Sequence, residues 1–215
     1  MSRPSTDPWA WVRLGDLVTC KRRSVSPDGL EPSTPYVGLE HIGSGTGEWE
    51  WTPVGTIDLK STKFAFNEGD VLYGKLRPNL RKCIVATVSG ICSTDILPLT
   101  PNEPRDRWLI AMQLRSREFA ERVGRVVGGA SLPRVRVHDL LRLELPMPLG
   151  SDRHRAQLAA EVVIKARSEL AALVSKVEEL EEAIRANSWA NGSHVESHDP
   201  ELELAQPTLW RSHSI

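Results

Sequence analysis

The chain has 215 residues, of which 40% are hydrophobic and 26% charged, values typical of a soluble globular protein. Its 27 basic and 28 acidic residues give a net charge of -1, which excludes a uniformly basic protein that coats nucleic acid. The sequence has no apolar run of the ~18 residues that a membrane helix needs, and its N-terminus carries no apolar leader. The three cysteines are widely spaced. We therefore predict a cytoplasmic protein without membrane contact and without a disulfide framework.

The charged residues are unevenly distributed along the chain. Residues 71–142 contain 13 basic and 6 acidic residues, whereas residues 151–215 contain 7 basic and 11 acidic residues. A basic middle and an acidic end indicate that one part of the protein meets a polyanion and another part does not.

The first 150 residues have the pattern of a β-rich domain that includes some helix. Residues 9–17 predict a strand followed by a short helical turn, residues 24–35 a loop, and the alternating residues 36–42 a second strand. Further on, residues 82–88 and 91–97 flank Ser89-Gly90 and predict a hairpin, and apolar residues at helical spacing predict a helix over 104–123.

Residues 151–188 give the clearest signal in the chain, a long helix. Apolar residues alternate at spacings of four and three without an intervening proline or glycine, and Ser151 or Asp152 can cap the start. This heptad stripe comprises Ala159, Val163, Ala166, Leu170, Leu173, Val177, Leu180 and Ile184. So narrow a stripe favours pairing with another helix over folding back onto the chain's own domain.

Three other patterns resemble a nucleotide-binding turn, a nuclease site and a metal site, but we do not expect any of them to function as one. Gly43-x-Gly45-x-Gly47 is not followed by a helix, so it is better explained as a connector than as a nucleotide-binding turn. Asp28 with Asp58-x-Lys60 resembles the acid–lysine set of a Mg²⁺-dependent nuclease, but such short patterns arise by chance. In residues 189–215, His194 and His198 have no third ligand, so we predict a flexible tail and no metal site. We predict no catalytic residue in this chain.

Three basic segments are better candidates for function. Arginine and lysine neutralise phosphates, arginine reads guanine, and asparagine reads adenine. Pro78 and the neighbouring glycine favour an exposed turn for the segment at 74–82, which directs its charges to water. The predicted DNA contacts are Lys75, Arg77, Asn79, Arg81, Lys82, Ser131, Arg134 and Arg136, followed by Lys21, Arg22, Arg23 and His41.

Six segments together resemble the target-recognition domain of type I restriction-modification specificity (S) subunits. They are LGDL at 14–17, YVGLEHI at 36–42, GDVLYGKLRP at 69–78, GICSTD at 90–95, GASLPRV at 129–135 and LELPMPL at 143–149. The similarity covers about residues 9–187, with the segments in the family's order. Of the Glu-Gln pair that the family carries before its helix, only Gln157 is kept. Full-length members have two recognition domains and two long helices, so this chain resembles a half-length form.

The resemblance implies an α+β fold: a β-rich target-recognition domain at 1–150, one long coiled-coil helix at 151–188, and the tail. It also implies a non-catalytic subunit that directs a DNA methyltransferase subunit, and where present an ATP-dependent restriction subunit, to double-stranded DNA in phage defence. S-adenosylmethionine and Mg-ATP would belong to those partners, and this chain would hold no cofactor.

The heptad stripe suggests how a chain that resembles only half of a full-length subunit could still present two recognition domains. From Ala159 to Ile184 the helix rises about 38 Å, close to one turn of DNA at ~34–36 Å. We predict a homodimer through antiparallel helices, whose two domains read a bipartite target. The alternatives are a scaffold that binds other proteins through its coiled coil, without nucleic acid, and the small nuclease described above.

Overall fold

The computed structural model describes residues 8–127 and 132–192, with side chains up to residue 186. The contacts divide the chain into two units, Met1–Ala172 and Leu173–Ile215. Ser131 and the tail histidines lie outside the described residues. In the described part of the chain, no helix combines the length and the apolar character that crossing a lipid bilayer demands.

Eleven short strands form three sheets within the described residues. The strands are β1 Trp9–Arg13, β2 Val18–Cys20, β3 Ser24–Val25, β4 Pro35–Val37, β5 Thr52–Pro53, β6 Lys63–Phe66, β7 Val71–Gly74, β8 Cys83–Val85, β9 Gly90–Cys92, β10 Ile96–Pro101 and β11 Glu144–Pro148. Strands β1 and β11 pair antiparallel, a four-stranded antiparallel sheet has the order β2-β10-β7-β8, and a five-stranded sheet has the order β3-β6-β9-β4-β5. In the last sheet only β4 and β9 run parallel.

Five α-helices complete the described part of the fold. They are α1 Leu14–Leu17, α2 Arg107–Leu114, α3 Arg117–Gly124, α4 Val137–Arg142 and α5 Gly150–Gly192. Single 3-10 turns occur at Leu39–His41, Val54–Thr56, Pro78–Leu80 and Pro104–Asp106.

The four-stranded sheet is buried on both faces. Successive residues of a strand point to opposite faces, so Val71 and Tyr73 of β7 join one core cluster and Leu72 joins the other. The first cluster packs the sheet against α2, α3, α4 and the start of α5, and the second packs it against the five-stranded sheet. This burial explains why strands β7 and β8 carry no polar alternate residues.

The predicted strand and helical turn at the start of the chain are confirmed as β1 and α1, and the predicted long helix is confirmed as α5. The β-rich, α+β fold class is confirmed as well. Three finer predictions are wrong.

The hairpin predicted around Ser89-Gly90 does not form. Strand β8 pairs with β7 in one sheet, whereas β9 pairs with β6 and β4 in another. Ile84 of β8 and Cys92 of β9 both enter the core between the sheets, so the two strands pack by their faces and not by their edges. Gly90 allows the backbone of Pro35 to approach closely, because a Cβ at position 90 would collide with the Pro35 carbonyl oxygen.

The strand predicted over residues 36–42 ends at Val37. A 3-10 turn follows, in which the Gly38 N–H donates to His41 Nδ1 at 3.0 Å. The helix predicted over 104–123 is two helices, because Ser116 Oγ accepts from the Phe119 N–H at 3.0 Å and caps a new start.

Candidate nucleic-acid interface

The basic segment between β7 and β8 forms a turn, which we call the basic loop (residues 75–82). Its centre is the 3-10 turn Pro78–Leu80, bracketed by Arg77 and Arg81 with φ angles of 48° and 53°. The left-handed region is unfavourable for residues other than glycine, and such strain is concentrated at functional sites. Arg77 and Asn79 are exposed at this turn.

A second segment, residues 132–136, pairs with the basic loop through its backbone. The Arg77 N–H donates to the Pro133 carbonyl at 2.8 Å, and the Val135 N–H donates to the Lys75 carbonyl at 3.1 Å. Leu76 and Arg134 form an antiparallel bridge. The structure thereby joins two basic segments that are more than fifty residues apart in the chain, and we call their combined surface the basic face.

Asp95 connects the side chains of the basic face. Its carboxylate accepts from Arg134 Nε at 3.2 Å and from Arg134 Nη2 at 3.4 Å, and Lys75 Nζ lies 3.8 Å away. The Lys75 N–H also donates to the Asp95 carbonyl at 2.9 Å. One carboxylate therefore holds two cations in place and leaves an excess of positive charge. Sequence reasoning missed this role, although Asp95 is the first acidic residue after Asp70.

The third basic segment follows β2, which is hydrogen-bonded to β10 in the same sheet as β7. Lys21, Arg22 and Arg23 are exposed. Burial raises the pKa of the Cys20 thiol, while the positive charges of Arg22 and Lys75 act in the opposite sense. Both β2 and β7 run antiparallel to β10, so the third basic segment and the basic loop leave the sheet at the same end.

Several predicted contacts are engaged inside the protein. Lys82 Nζ donates to the Leu39 carbonyl at 2.7 Å, and Arg81 Nη1 donates to the Arg115 carbonyl at 3.4 Å. His41 uses both ring nitrogens, because Nε2 lies 3.2 Å from Thr52 Oγ1. Arg136 is exposed at the start of α4. The basic face thus presents Lys75, Arg77, Asn79 and Arg134, while Lys82 and His41 support neighbouring turns.

The start of α5 is fixed to the domain by a buried polar cluster. Asp106 is 1% exposed and accepts hydrogen bonds from Arg153 and from Gln157, whose Nε2 is 2.7 Å from Asp106 Oδ1. Ala160 and Ile164, further along the same face, belong to the core. Gln157, the residue kept from the Glu-Gln pair, lies inside α5 and makes this anchoring contact.

The heptad stripe occupies a different face of α5. Its six larger apolar residues, from Val163 to Ile184, are between 51 and 65% exposed, and Ala159 and Ala166 are exposed too. Helix α5 therefore packs on its own domain with one face and presents a second apolar face to solvent. Exposed apolar area of this extent marks an interaction surface.

The nuclease-like residues do not form a metal centre. Asp58 pairs with its neighbour Lys60 at 3.0 Å on the surface, and Asp28 accepts from Ser26 Oγ at 3.1 Å. Among the residues with described side chains, no group of three or more His, Cys, Asp or Glu could hold a metal ion.

No protein-family model matches the chain. In sequence, 147 residues are 26% identical to the specificity subunit of the type I restriction enzyme EcoDI of Escherichia coli, a match that covers 68% of this chain and 32% of that protein. The chain is related to a type I specificity subunit.

Solved structures agree with this relationship at the level of the fold. The HsdS subunit of Thermoanaerobacter tengcongensis is similar over 96% of this chain and 53% of its own, with a TM-score of 0.58 and 21% identity. A chain of a type I restriction-modification assembly is similar over 98% of this chain and 54% of its own, with a TM-score of 0.59 and 20% identity. This chain thus spans about a third of the curated relative and about half of each solved subunit.

Proposed function

We propose that this chain recognises a DNA sequence as a specificity subunit of a type I restriction-modification system. The observation that carries the proposal is the basic face, on which backbone pairing and Asp95 hold Lys75, Arg77 and Arg134 together. Its chemistry suits a phosphate backbone, and exposed Asn79 adds an amide that can read a base edge. The relationship to the EcoDI specificity subunit supports the same function.

The proposed role is non-catalytic. The chain would place a DNA methyltransferase subunit, and an ATP-dependent restriction subunit where one is present, on the target in the cytoplasm. S-adenosylmethionine and Mg-ATP would be bound by those partners. The names of the relatives support the assignment to a type I assembly, because one is a specificity subunit and another is a chain of such an assembly.

The proposal includes a homodimer through antiparallel α5 helices. The heptad stripe supports it, because its apolar residues are exposed to solvent, where a second helix can cover them. Two recognition domains related by a two-fold axis would read an inverted, bipartite target with unread base pairs between the halves.

The test is a fluorescence-anisotropy titration of the full chain with a labelled random-sequence duplex over a range of salt. We expect the Lys75→Ala/Arg77→Ala variant to bind more weakly and to show a shallower dependence of log K on log salt, by about 0.9 for each phosphate that the variant no longer neutralises. Lys60→Ala/Arg155→Ala is the matched control, since it removes two exposed charges that are paired with Asp58 and Asp152.

Equal reductions in the two double variants would contradict the role of the basic face. A wild-type chain that ignores duplex DNA, both alone and with partners co-purified from its own cells, would overturn the proposed function. If the chain does bind duplex DNA, methylome sequencing of those cells, with and without the chain, should identify the bipartite target.

A further inference from the structure

Two backbone hydrogen bonds show which way the residues of β1 point in its small sheet with β11. The Leu14 N–H donates to the Leu143 carbonyl at 2.8 Å. At the other end of the sheet, the Leu149 N–H donates to the Pro8 carbonyl at 2.8 Å. Antiparallel strands alternate between bonded and non-bonded pairs, so the even-numbered residues of β1 direct their backbone groups to β11. The odd-numbered residues, which direct theirs to the opposite edge, are Trp9, Trp11 and Arg13.

The outer edge of β11 is closed by its sequence. By the same alternation, the residues of β11 whose backbone groups point outward are Glu144, Pro146 and Pro148. The two prolines have no N–H to donate, and the Pro146 carbonyl accepts from Gln113 Nε2 at 3.2 Å. Proline on an edge strand is a common protection against the addition of a further strand.

The outer edge of β1 lacks this protection. Among the described residues, β11 is the one strand that pairs with β1, and no hydrogen bond engages the Trp11 backbone or the Arg13 N–H. A row of N–H and carbonyl groups without partners is a template for pairing with a second extended chain. The two edges of the same sheet are thus opposite in character, one closed and one open.

Side chains on both faces of β1 would contact an added strand. Trp11 is 55% exposed, and the guanidinium carbon of Arg122 lies 4.0 Å from the centroid of its ring. Trp9 is exposed on the same face, because it is two residues away in the strand. On the other face, half-buried Val12 packs against the first core cluster. Tryptophan and arginine dominate the binding energy of many protein–protein interfaces.

The charges near this edge favour a polypeptide over DNA as the occupant. Arg13 lies opposite Glu144 in the register of the two strands. Glu118 lines the same cavity as Trp11 and Arg122. These two carboxylates would repel phosphates, so the edge does not share the chemistry of the basic face. A polypeptide strand fits the edge, because its uncharged backbone supplies the matching donors and acceptors.

We infer that the outer edge of β1 binds an extended segment of a protein partner, which adds a third strand to the sheet. The residues of that segment that lie beside Val12 must be apolar, since they are at the margin of the core. The intervening residues lie beside the exposed ring of Trp11. The inference goes beyond the proposed function, because it concerns a second surface of the domain and does not depend on DNA recognition.

The experiment selects binders to the full chain from a phage-displayed library of random linear peptides and then compares Arg13→Pro with Arg13→Ala. Both variants lose the same side chain, but only proline removes the outward N–H and places its ring at the edge. The φ angle of Arg13 is -62°, a value that proline adopts without strain. Urea unfolding should therefore show equal stabilities for the two variants.

We expect a group of the selected peptides to have an apolar residue at every second position. In an anisotropy titration with labelled synthetic peptides, this group should bind wild type and Arg13→Ala similarly and Arg13→Pro about tenfold more weakly. With wild type, which needs no substitution, the same peptides should slow hydrogen exchange at the Trp11 and Arg13 amides.

A library in which no binder protects these two amides would overturn the inference, and so would binders with equal affinity for Arg13→Pro and Arg13→Ala. If Arg13→Pro binds the random-sequence duplex more weakly than Arg13→Ala does, the edge contacts DNA and the inference is wrong. If only Arg13→Pro lowers the oligomeric state in sedimentation, the edge pairs with a second copy of the chain, which also refutes it. The salt titration of Lys75→Ala/Arg77→Ala tests the proposed function separately from all these results.

Discussion

Asp95 offsets part of the positive charge on the basic face. Its carboxylate pairs with Arg134 and lies near Lys75, and its side chain is one quarter exposed. An internal carboxylate that competes with phosphate weakens binding to all sequences alike, which leaves discrimination to base contacts. We therefore expect Asp95 to limit non-specific affinity while it orders the two basic segments.

Replacing Asp95 with asparagine tests this role. The amide keeps the size of the side chain and removes its charge, so Lys75 and Arg134 become free to neutralise phosphates. We expect tighter binding to random-sequence duplex at low salt, with a log K against log salt slope steeper by up to about 0.9 for each cation released.

Asp58→Asn is the control, because Asp58 is also paired with a lysine but lies fully on the surface. Unchanged or weaker binding of Asp95→Asn to random duplex, measured by anisotropy, would show that Asp95 does not restrain the basic face.

Arg77 combines a charge with an unfavourable backbone conformation. Its φ of 48° is accessible to glycine without steric cost, whereas alanine retains the strain. We expect Arg77→Gly to be more stable than Arg77→Ala by about 1 kcal/mol in urea unfolding. Both variants should show the same decrease in DNA affinity, because both lack the guanidinium. A glycine variant that is less stable than the alanine variant would show that the backbone at residue 77 is not strained.

At the scale of elements, the attachment of α5 depends on Asp106. This carboxylate lies at the end of the turn Pro104–Asp106 and accepts hydrogen bonds from two successive turns of the helix, through Arg153 and Gln157. A buried acceptor with two donors from one helix fixes that helix in translation and rotation. The anchored face then determines which apolar residues of α5 remain exposed.

We expect Asp106→Ala to lower the free energy of unfolding by about 2 kcal/mol, because Gln157 is left buried without its acceptor while water can reach the partly exposed Arg153. Hydrogen exchange should accelerate in the first turns of α5. Asp152→Ala removes a carboxylate from the exposed side of the same turn, and its cost should stay well below 1 kcal/mol. Similar costs in the two variants, measured by urea unfolding, would argue against the anchor.

At the scale of the whole molecule, one face of α5 packs in the core of the domain, and a different face is available for assembly. Ala160 and Ile164 belong to the core of the domain, whereas Leu170 and Leu173 are more than 60% exposed. A helix that buried its whole apolar surface against its own domain could not pair with a second chain. The proposed dimer needs only the surface that folding leaves uncovered.

Leu173→Glu should therefore abolish the dimer without destabilising the monomer, since the charge enters the paired interface and not the core. Sedimentation velocity over a range of concentrations measures the change. Ser175→Glu introduces the same charge about 200° around the helix and should leave the oligomeric state unchanged. A wild-type chain that sediments as a monomer at all concentrations, with and without partners, would disprove the homodimer.

The sequence determined the features that depend on local periodicity. The heptad spacing predicted α5, the apolar strand segments predicted a β-rich domain, and Pro78 with its flanking charges predicted a basic turn, of which only Arg77 and Asn79 are exposed. These succeed because a repeat of two or of 3.5 residues fixes which side chains share a face, whatever surrounds the element. The boundary at Ser116 carries a local signal as well, a capping serine, which the apolar spacing of residues 104–123 obscured.

Tertiary structure decided every feature that joins distant segments. The sequence around Ser89-Gly90 suits a hairpin, yet β8 and β9 enter different sheets because their side chains meet in the core between them. The pairing of Asp95 with Arg134 has no signal in residue spacing. Which strands pair and which charges meet depends on how whole faces of the sheets and helices pack together. This packing combines burial with backbone hydrogen bonding, and it is reached only when the entire domain is folded.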